Sequence, residues 1–241
     1  MIKNFKTFSV KGNDRISNSD YILVKSLSEG FIGIVCDGVG ENEGTENPGK
    51  VCAEKIIDLI ENSSESDPLV KMKAAIEKTN KYLIELKNDS SENNKLATTL
   101  EVIYLLEHCV CWGHVGDSRM YQLKNNRLNL LTKDHSVIQE LVDKGFLTLK
   151  EAGLHTGTNI IGRAMGEKPD VNVDISKMNL QPFDKHRFLL CTDGLTNLIS
   201  DSEIENCLQE KELETCYKSF ISRIEKKYIS DDITFLIVDP F

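Results

Sequence analysis

The order in which two apolar patterns follow one another along the chain most constrains what it can fold into. Short extended segments at residues 7–10 and 21–24 precede the continuous apolar run FIGIVC at 31–36. Helical spacing then takes over. Cys52, Ile56, Leu59 and Ile60 recur within residues 50–61, and Leu69, Met72, Ile76, Leu83 and Leu86 mark one face of 69–86. Beyond a polar turn at 88–94, three strand-like runs at 97–106, 109–115 and 119–123 are close enough to pair antiparallel as a meander. Helical patterns at 136–144 and 149–152 are followed by a Gly-rich stretch, 154–170, whose lack of period predicts a surface excursion. A strand at 187–191, amphipathic helices at 202–209 and 213–228, and a strand at 233–238 complete the chain.

Strands therefore group with strands and helices with helices. That order excludes the regular alternation of a doubly wound parallel sheet and predicts antiparallel sheets covered by helices. With 241 residues, 40% of them hydrophobic, the chain can bury a large core, and the absence of an internal repeat or low-complexity linker predicts one domain over residues 1–241. A net charge of −9 disfavours nucleic acid or an acidic membrane as partner. No stretch reaches the ~20 apolar residues of a membrane span, and the start MIKNFKTF has no cleavage site, which together predict a cytoplasmic protein. The seven cysteines form no C-x-x-C pair and lie mostly in apolar runs, as expected of buried thiols in a reducing compartment.

Three aspartates stand at junctions between an apolar strand and a turn: Asp37 after FIGIVC, Asp193 after FLLCT, and Asp231 before ITFLIV. Asp-Gly alone is a common turn pair, so each of Asp37-Gly38 and Asp193-Gly194 admits a plain turn reading. Taken together, carboxylates fixed at strand ends and converging on a cleft would repel one another unless a cation lay between them. Oxygen-only ligation selects hard ions such as Mg²⁺ or Mn²⁺. Gly113-His114-Val115-Gly116-Asp117-Ser118-Arg119 is denser in polar groups than a hairpin turn needs; Gly116 and Asp117 can form the turn while Ser118 and Arg119 satisfy backbone carbonyls.

Arg15-x-x-Asn18-x-Asp20, Asp37-Gly38-Val39-Gly40, Ala97-Thr98-Thr99-Leu100, Val115-Gly116-Asp117-Ser118-Arg119, Thr132-x-Asp134-His135-Ser136, the stretch 159–166, Thr192-Asp193-Gly194 and Asp231-Asp232-Ile233-Thr234 form an ordered set. It resembles the type 2C metal-dependent serine/threonine protein phosphatases in their compact bacterial form, from about Arg15 to the C-terminus. The resemblance implies an α+β fold, two antiparallel sheets stacked as a sandwich with helix pairs on both outer faces, and a flap over residues 136–166. It implies Mn²⁺ or Mg²⁺ as cofactor, two core ions and a third held more weakly. Asp37 would bridge the two ions, the Gly38 carbonyl would complete a shell, Asp193 and Asp231 would ligate one ion, Asp20 would act through coordinated water, and Asp117 would serve the third. Arg15 matches the phosphate-clamping arginine, whose guanidinium fork suits two phosphate oxygens. The implied reaction is hydrolysis of phosphoserine and phosphothreonine in proteins by a metal-bound water, without a phosphoenzyme, by a monomer acting on the products of a serine/threonine kinase.

Three positions depart from the family pattern. Ser19 replaces the usual acidic residue before Asp20, Val39 stands where eukaryotic-type members carry a His proposed as general acid, as is common in bacterial-type relatives, and Asp232 replaces a frequent Asn. Ser19 favours an alternative, a regulatory module that binds phosphorylated partners with little turnover. A sporulation-type or sigma-factor regulatory phosphatase would carry sensor domains, and none fits here. His135 reads as a capping or packing residue, His114 and His155 have no partner visible in the sequence, and Trp112 reads as core.

Overall fold

The computed structural model describes residues 4–39, 46–89, 96–152, 160–181 and 184–240. Strands are numbered along the chain. One five-stranded sheet runs β1 (Asn4–Val10), β10 (Ile233–Asp239), β9 (His186–Cys191), β6 (Arg119–Lys124) and β7 (Arg127–Leu130). The other runs β2 (Asp20–Ser26), β3 (Gly30–Asp37), β4 (Leu100–Leu106), β5 (Cys109–Val115) and β8 (Asp174–Asn179). Every neighbouring pair is antiparallel.

The central strands read as unbroken apolar runs because both of their faces are covered. Along β3, Ile32, Ile34 and Cys36 point outward into a core shared with helices α1 (Pro48–Glu61) and α2 (Pro68–Asp89), while Phe31 and Val35 point inward. Along β10, Ile233, Phe235 and Ile237 meet helices α5 (Asp193–Leu198), α6 (Asp201–Leu208) and α7 (Leu213–Ile224), and Leu236 and Val238 face inward. Phe31, Val35, Ile103, Trp112, Phe188, Leu190 and Leu236 form the layer between the sheets. The protein is thus an α+β sandwich with helices on both outer faces. Local signals set the helix starts. Asn47 caps α1 through a 2.9 Å bond from Lys50 N, followed by Pro48, and Ser200 and Glu203 form a capping box on α6.

One expectation is overturned. The runs at 97–106, 109–115 and 119–123 do not form a meander: β4 and β5 pair, but β6 lies in the other sheet beside β9. A connection as short as Gly116–Ser118 suggests adjacency, yet a few extended residues also cover the ~10 Å between stacked sheets. Gly116 turns the chain with φ +117°, and a Cβ there would lie 2.6 Å from the Thr99 side chain. The last helix ends at Ile224, four residues before its expected end, and β4 begins at Leu100 rather than at 97.

Three elements escaped the sequence reading. β7 and β8 are edge strands with largely exposed faces, and α5 is only 6 residues long. β7 did carry a signal, since Asn125 and Asn126 have φ of 51° and 62°, the left-handed pair of a two-residue hairpin. Parts of the polar turn at 88–94, of the stretch 154–170, Gly40 and His155 lie outside the described residues.

Phe235 is fully buried between Phe8, Tyr217 and Phe220, with ring centroids 5.2 to 6.2 Å away. Phe235→Ala should cost about 3–5 kcal/mol, lowering the urea midpoint without changing the slope of the transition.

Candidate active site

The site lies where both sheets end on one side. Asp20 opens β2 and stands directly opposite Asp37, the last residue of β3. The Asp37 backbone is fixed from the next strand: its N–H donates to Thr99 Oγ1 at 2.9 Å, and its carbonyl accepts from Thr99 N at 2.8 Å and Thr98 Oγ1 at 2.9 Å. Thr99 Oγ1 also pairs with Ser118 Oγ at 2.8 Å, joining the support of Asp37 to the turn that carries Asp117. The Gly38 N–H donates to the Ser19 carbonyl at 3.2 Å, and a Cβ on Gly38 would lie 2.6 Å from that oxygen.

From the other sheet, Asp193 is the first residue of α5, and its Oδ2 accepts from Asn197 Nδ2 at 3.1 Å. Gly194 lets this helix sit on the chain after Asp231, for a Cβ there would be 2.0 Å from the Asp232 carbonyl oxygen. Thr192 Oγ1 donates to Asp20 Oδ2 at 2.9 Å, tying the second sheet's strand to the first. Arg15 Nη2 donates to Asp231 Oδ1 at 2.6 Å.

Electrostatics bind these residues into one group. Burial raises the Asp37 carboxyl well above its ordinary range, and the charges of Asp20, Asp193, Asp117 and Asp231 push it the same way. Asp20 is pushed up to about 7 by burial, against hydrogen bonds from Thr234 and Thr192 and with repulsion from Asp232 and Asp193. Asp117 also reaches about 7, from burial first and then Asp193 and Asp134. Asp193 is raised by burial and by Asp231.

Within the site two carboxylate oxygens, Asp20 Oδ1 and Asp117 Oδ1, are buried without a hydrogen-bond partner; the other such carboxylate oxygen among the described residues, Glu101 Oε2, lies away from it beside His114. Orphaned anionic oxygens inside a cluster of like charges fit a hard divalent cation, the partner that would offset both penalties. Among the described residues, no three His, Cys, Asp or Glu side chains are gathered closely enough to hold an ion as they stand. Asp231 accepts from Arg15, Asp193 from Asn197 and Asp20 from Thr192, so each of these carboxylates already has one hydrogen-bond donor.

Arg15, Asp20, Asp37, Gly38, Asp117, Asp193 and Asp231 thus meet at one end of the sandwich. The supporting hydroxyls of Thr99, Ser118 and Thr192 were missed as functional, although all three sit inside the recognised motifs. Among the described residues, Ser118 and Arg119 bond side chains rather than backbone carbonyls: Ser118 bonds Thr99, and Arg119 forms a two-bond fork on Asp134 at 2.9 and 2.7 Å. His114, which showed no partner in the sequence, pairs with buried Glu101 and with the Lys133 carbonyl. His135 accepts from Gly116 N at 3.2 Å and packs on His114, a structural placement. A cavity of about 730 Å³ opens beside Arg187 and Asp239 at the far end of the first sheet, but Arg187 is engaged by the Asp239 carboxylate and by the Leu208 and Glu210 carbonyls.

The protein phosphatase 2C family profile matches residues 13–232. The chain is 32% identical over 215 residues to the serine/threonine phosphatase stp of Listeria welshimeri, covering 86% of this chain and 83% of that protein. It is 31% identical over 204 residues to the protein phosphatase PhpP of Streptococcus pneumoniae, covering 81% and 80%. The crystal structure of the catalytic domain of the phosphatase PstP, in complex with two manganese ions, superposes with a TM-score of 0.83 at 26% identity, covering 98% of this chain and 97% of that one. A profile match over most of the chain, with identity above 30% to curated phosphatases, establishes that the chain belongs to the protein phosphatase 2C family of serine/threonine phosphatases.

Proposed function

We propose that the aspartate cluster holds divalent cations, Mn²⁺ or Mg²⁺, against a phosphoserine or phosphothreonine of a protein substrate. The observation that carries this is the pair of orphaned oxygens, Asp20 Oδ1 and Asp117 Oδ1, inside a set of carboxylates whose charges raise one another. Asp37 would be shared between two ions, the Gly38 carbonyl, Asp193, Asp231 and Asp20 would help hold them, and Asp117 would serve a third, more weakly held ion. A relative that binds two manganese ions supports the core count. When bound, such ions activate a water and neutralise charge on the phosphoryl group.

The chain's own residues do the rest. Arg15, on the loop between β1 and β2, reaches Asp231 and stands ready to take phosphate oxygens through its fork. Asp37, held by three bonds from Thr98 and Thr99, fixes the centre of the site to within the rigidity of a sheet. Water attacks phosphorus in line with the departing Ser or Thr oxygen, and no enzyme side chain becomes phosphorylated. Six of the seven cysteines are buried and none serves as nucleophile.

Residues 1–241 act as one catalytic unit, with residues 136–166 as a flap beside the cleft that contains helices α3 (Val137–Asp143) and α4 (Leu149–Ala152). The enzyme works as a cytoplasmic monomer on substrates of a serine/threonine kinase; no described helix is long and apolar enough to cross a membrane. The test is a peptide assay. After chelation, phosphoserine and phosphothreonine peptides should be hydrolysed only once Mn²⁺ is returned, with phosphotyrosine much slower. Turnover undiminished by chelation would sink the metal reading.

A further inference from the structure

The loop carrying Arg15 joins the two sheets, leaving β1 at Val10 and entering β2 at Asp20. Both of its ends are held by one side chain. Asp232 Oδ1 accepts from Gly12 N at 2.9 Å and Asp232 Oδ2 from Ser19 N at 2.7 Å, and Asp232 is only 4% exposed. The same residue's N–H donates to Asp231 Oδ1 at 2.8 Å, the oxygen that Arg15 Nη2 also meets. Further bonds seat the loop on the same segment: Asn13 N donates to the Ile229 carbonyl at 2.7 Å, Ile229 N to Asn13 Oδ1 at 2.8 Å, and Tyr228 pairs with Asp14.

We propose that Asp232 is the positioning residue for Arg15, a carboxylate staple that fixes the arginine loop against the segment carrying Asp231. Its identity matters because two backbone N–H groups need two acceptor oxygens. An Asn at this place offers one oxygen and one NH₂, so one buried amide would face another donor. The Asp that departs from the family pattern is thereby matched to this chain's loop.

The inference rests on Arg15 as the phosphate clamp, and the experiment separates the two. With saturating Mn²⁺ and a phosphothreonine peptide, Arg15→Ala, Asp232→Asn and the double variant are compared by kcat, KM and the inhibition constant of inorganic phosphate. Asp232→Asn should raise KM and the phosphate inhibition constant about tenfold with kcat little changed, the pattern of lost ground-state binding. In the Arg15→Ala background the same change should add almost nothing, since the two act as one unit. If Arg15→Ala raises KM but Asp232→Asn does not, or if the Asp232→Asn effect persists in the double variant, the staple is refuted. If Arg15→Ala leaves KM unchanged, the clamp itself fails and the staple with it. A measurement on the unmodified enzyme covers variants that do not fold. The Gly12 and Ser19 amides, though in a loop, should exchange with deuterium as slowly as sheet amides, and fast exchange overturns the assignment.

Discussion

Asp37→Asn should lower phosphopeptide turnover by roughly three orders of magnitude or more while leaving the metal-free protein at least as stable as the wild type. The two halves of this result have one cause. Asp37 sits opposite Asp20 and within the field of Asp193, Asp117 and Asp231, so its charge is the one that every other carboxylate opposes. Removing that charge relieves repulsion in the metal-free state. It also removes the anionic oxygen at the centre of the proposed ion pair. The backbone bonds that hold position 37, from Thr98 and Thr99, involve no side-chain atom of Asp37 and survive the substitution. A purely structural aspartate would behave the other way, losing stability along with activity. Thermal melts in chelator and steady-state kinetics in Mn²⁺ check both halves, and a variant that keeps turnover within about tenfold of wild type would remove Asp37 from the centre of the mechanism.

The parts of the site that were legible in the sequence are those whose position follows from strand ends. Asp37 and Asp193 follow unbroken apolar runs, and such runs arise only where a strand is covered on both faces, so the chemistry at their ends was marked by the core behind it. Sheet membership was harder. The turn at Gly116 reads as a hairpin because sequence distance does not tell a return to the same sheet from a step to the stacked one; the positive φ of Gly116 and its contact with Thr99 decide it. Edge strands β7 and β8 are exposed on most positions and so lack the apolar signal that marks central ones, which left only the Asn125-Asn126 turn to announce β7. The hydroxyls of Thr99, Ser118 and Thr192 stood in recognised motifs, but their tasks, Thr99 and Ser118 supporting the Asp37 backbone and Thr192 holding the Asp20 carboxylate from the opposite sheet, depend on register and stacking that no local pattern encodes. Asp232 read as a bare substitution of Asn. Its two backbone partners, more than 200 residues away in sequence, supply the reason an acid stands there.

Stability of the metal-free protein should fall as pH rises from about 4 to 7.5, and Mn²⁺ should abolish most of that fall. Burial and mutual repulsion push Asp20 and Asp117 to about 7, against an ordinary value of 3.8, and raise Asp37 and Asp193 as well. A carboxyl with a folded pKa above its unfolded one makes the native state bind more protons than the unfolded chain. Its stabilising contribution is complete below the unfolded pKa and is lost as pH rises through the folded one, here the interval from about 4 to 7. Across the cluster the loss is on the order of a few kcal/mol, because the groups titrate together and their shifts do not add. Glu101, also raised to about 7 by burial despite its pairing with His114, contributes a slope of the same sign that Mn²⁺ cannot remove. The diagnostic quantity is therefore the difference between melting temperatures with Mn²⁺ and with chelator, followed from pH 5 to 7.5. That difference should widen with pH, since the cation competes with protons for the same oxygens and gains as they leave. A gap that stays constant across this range would mean that the raised aspartates are not the ones that hold the metal.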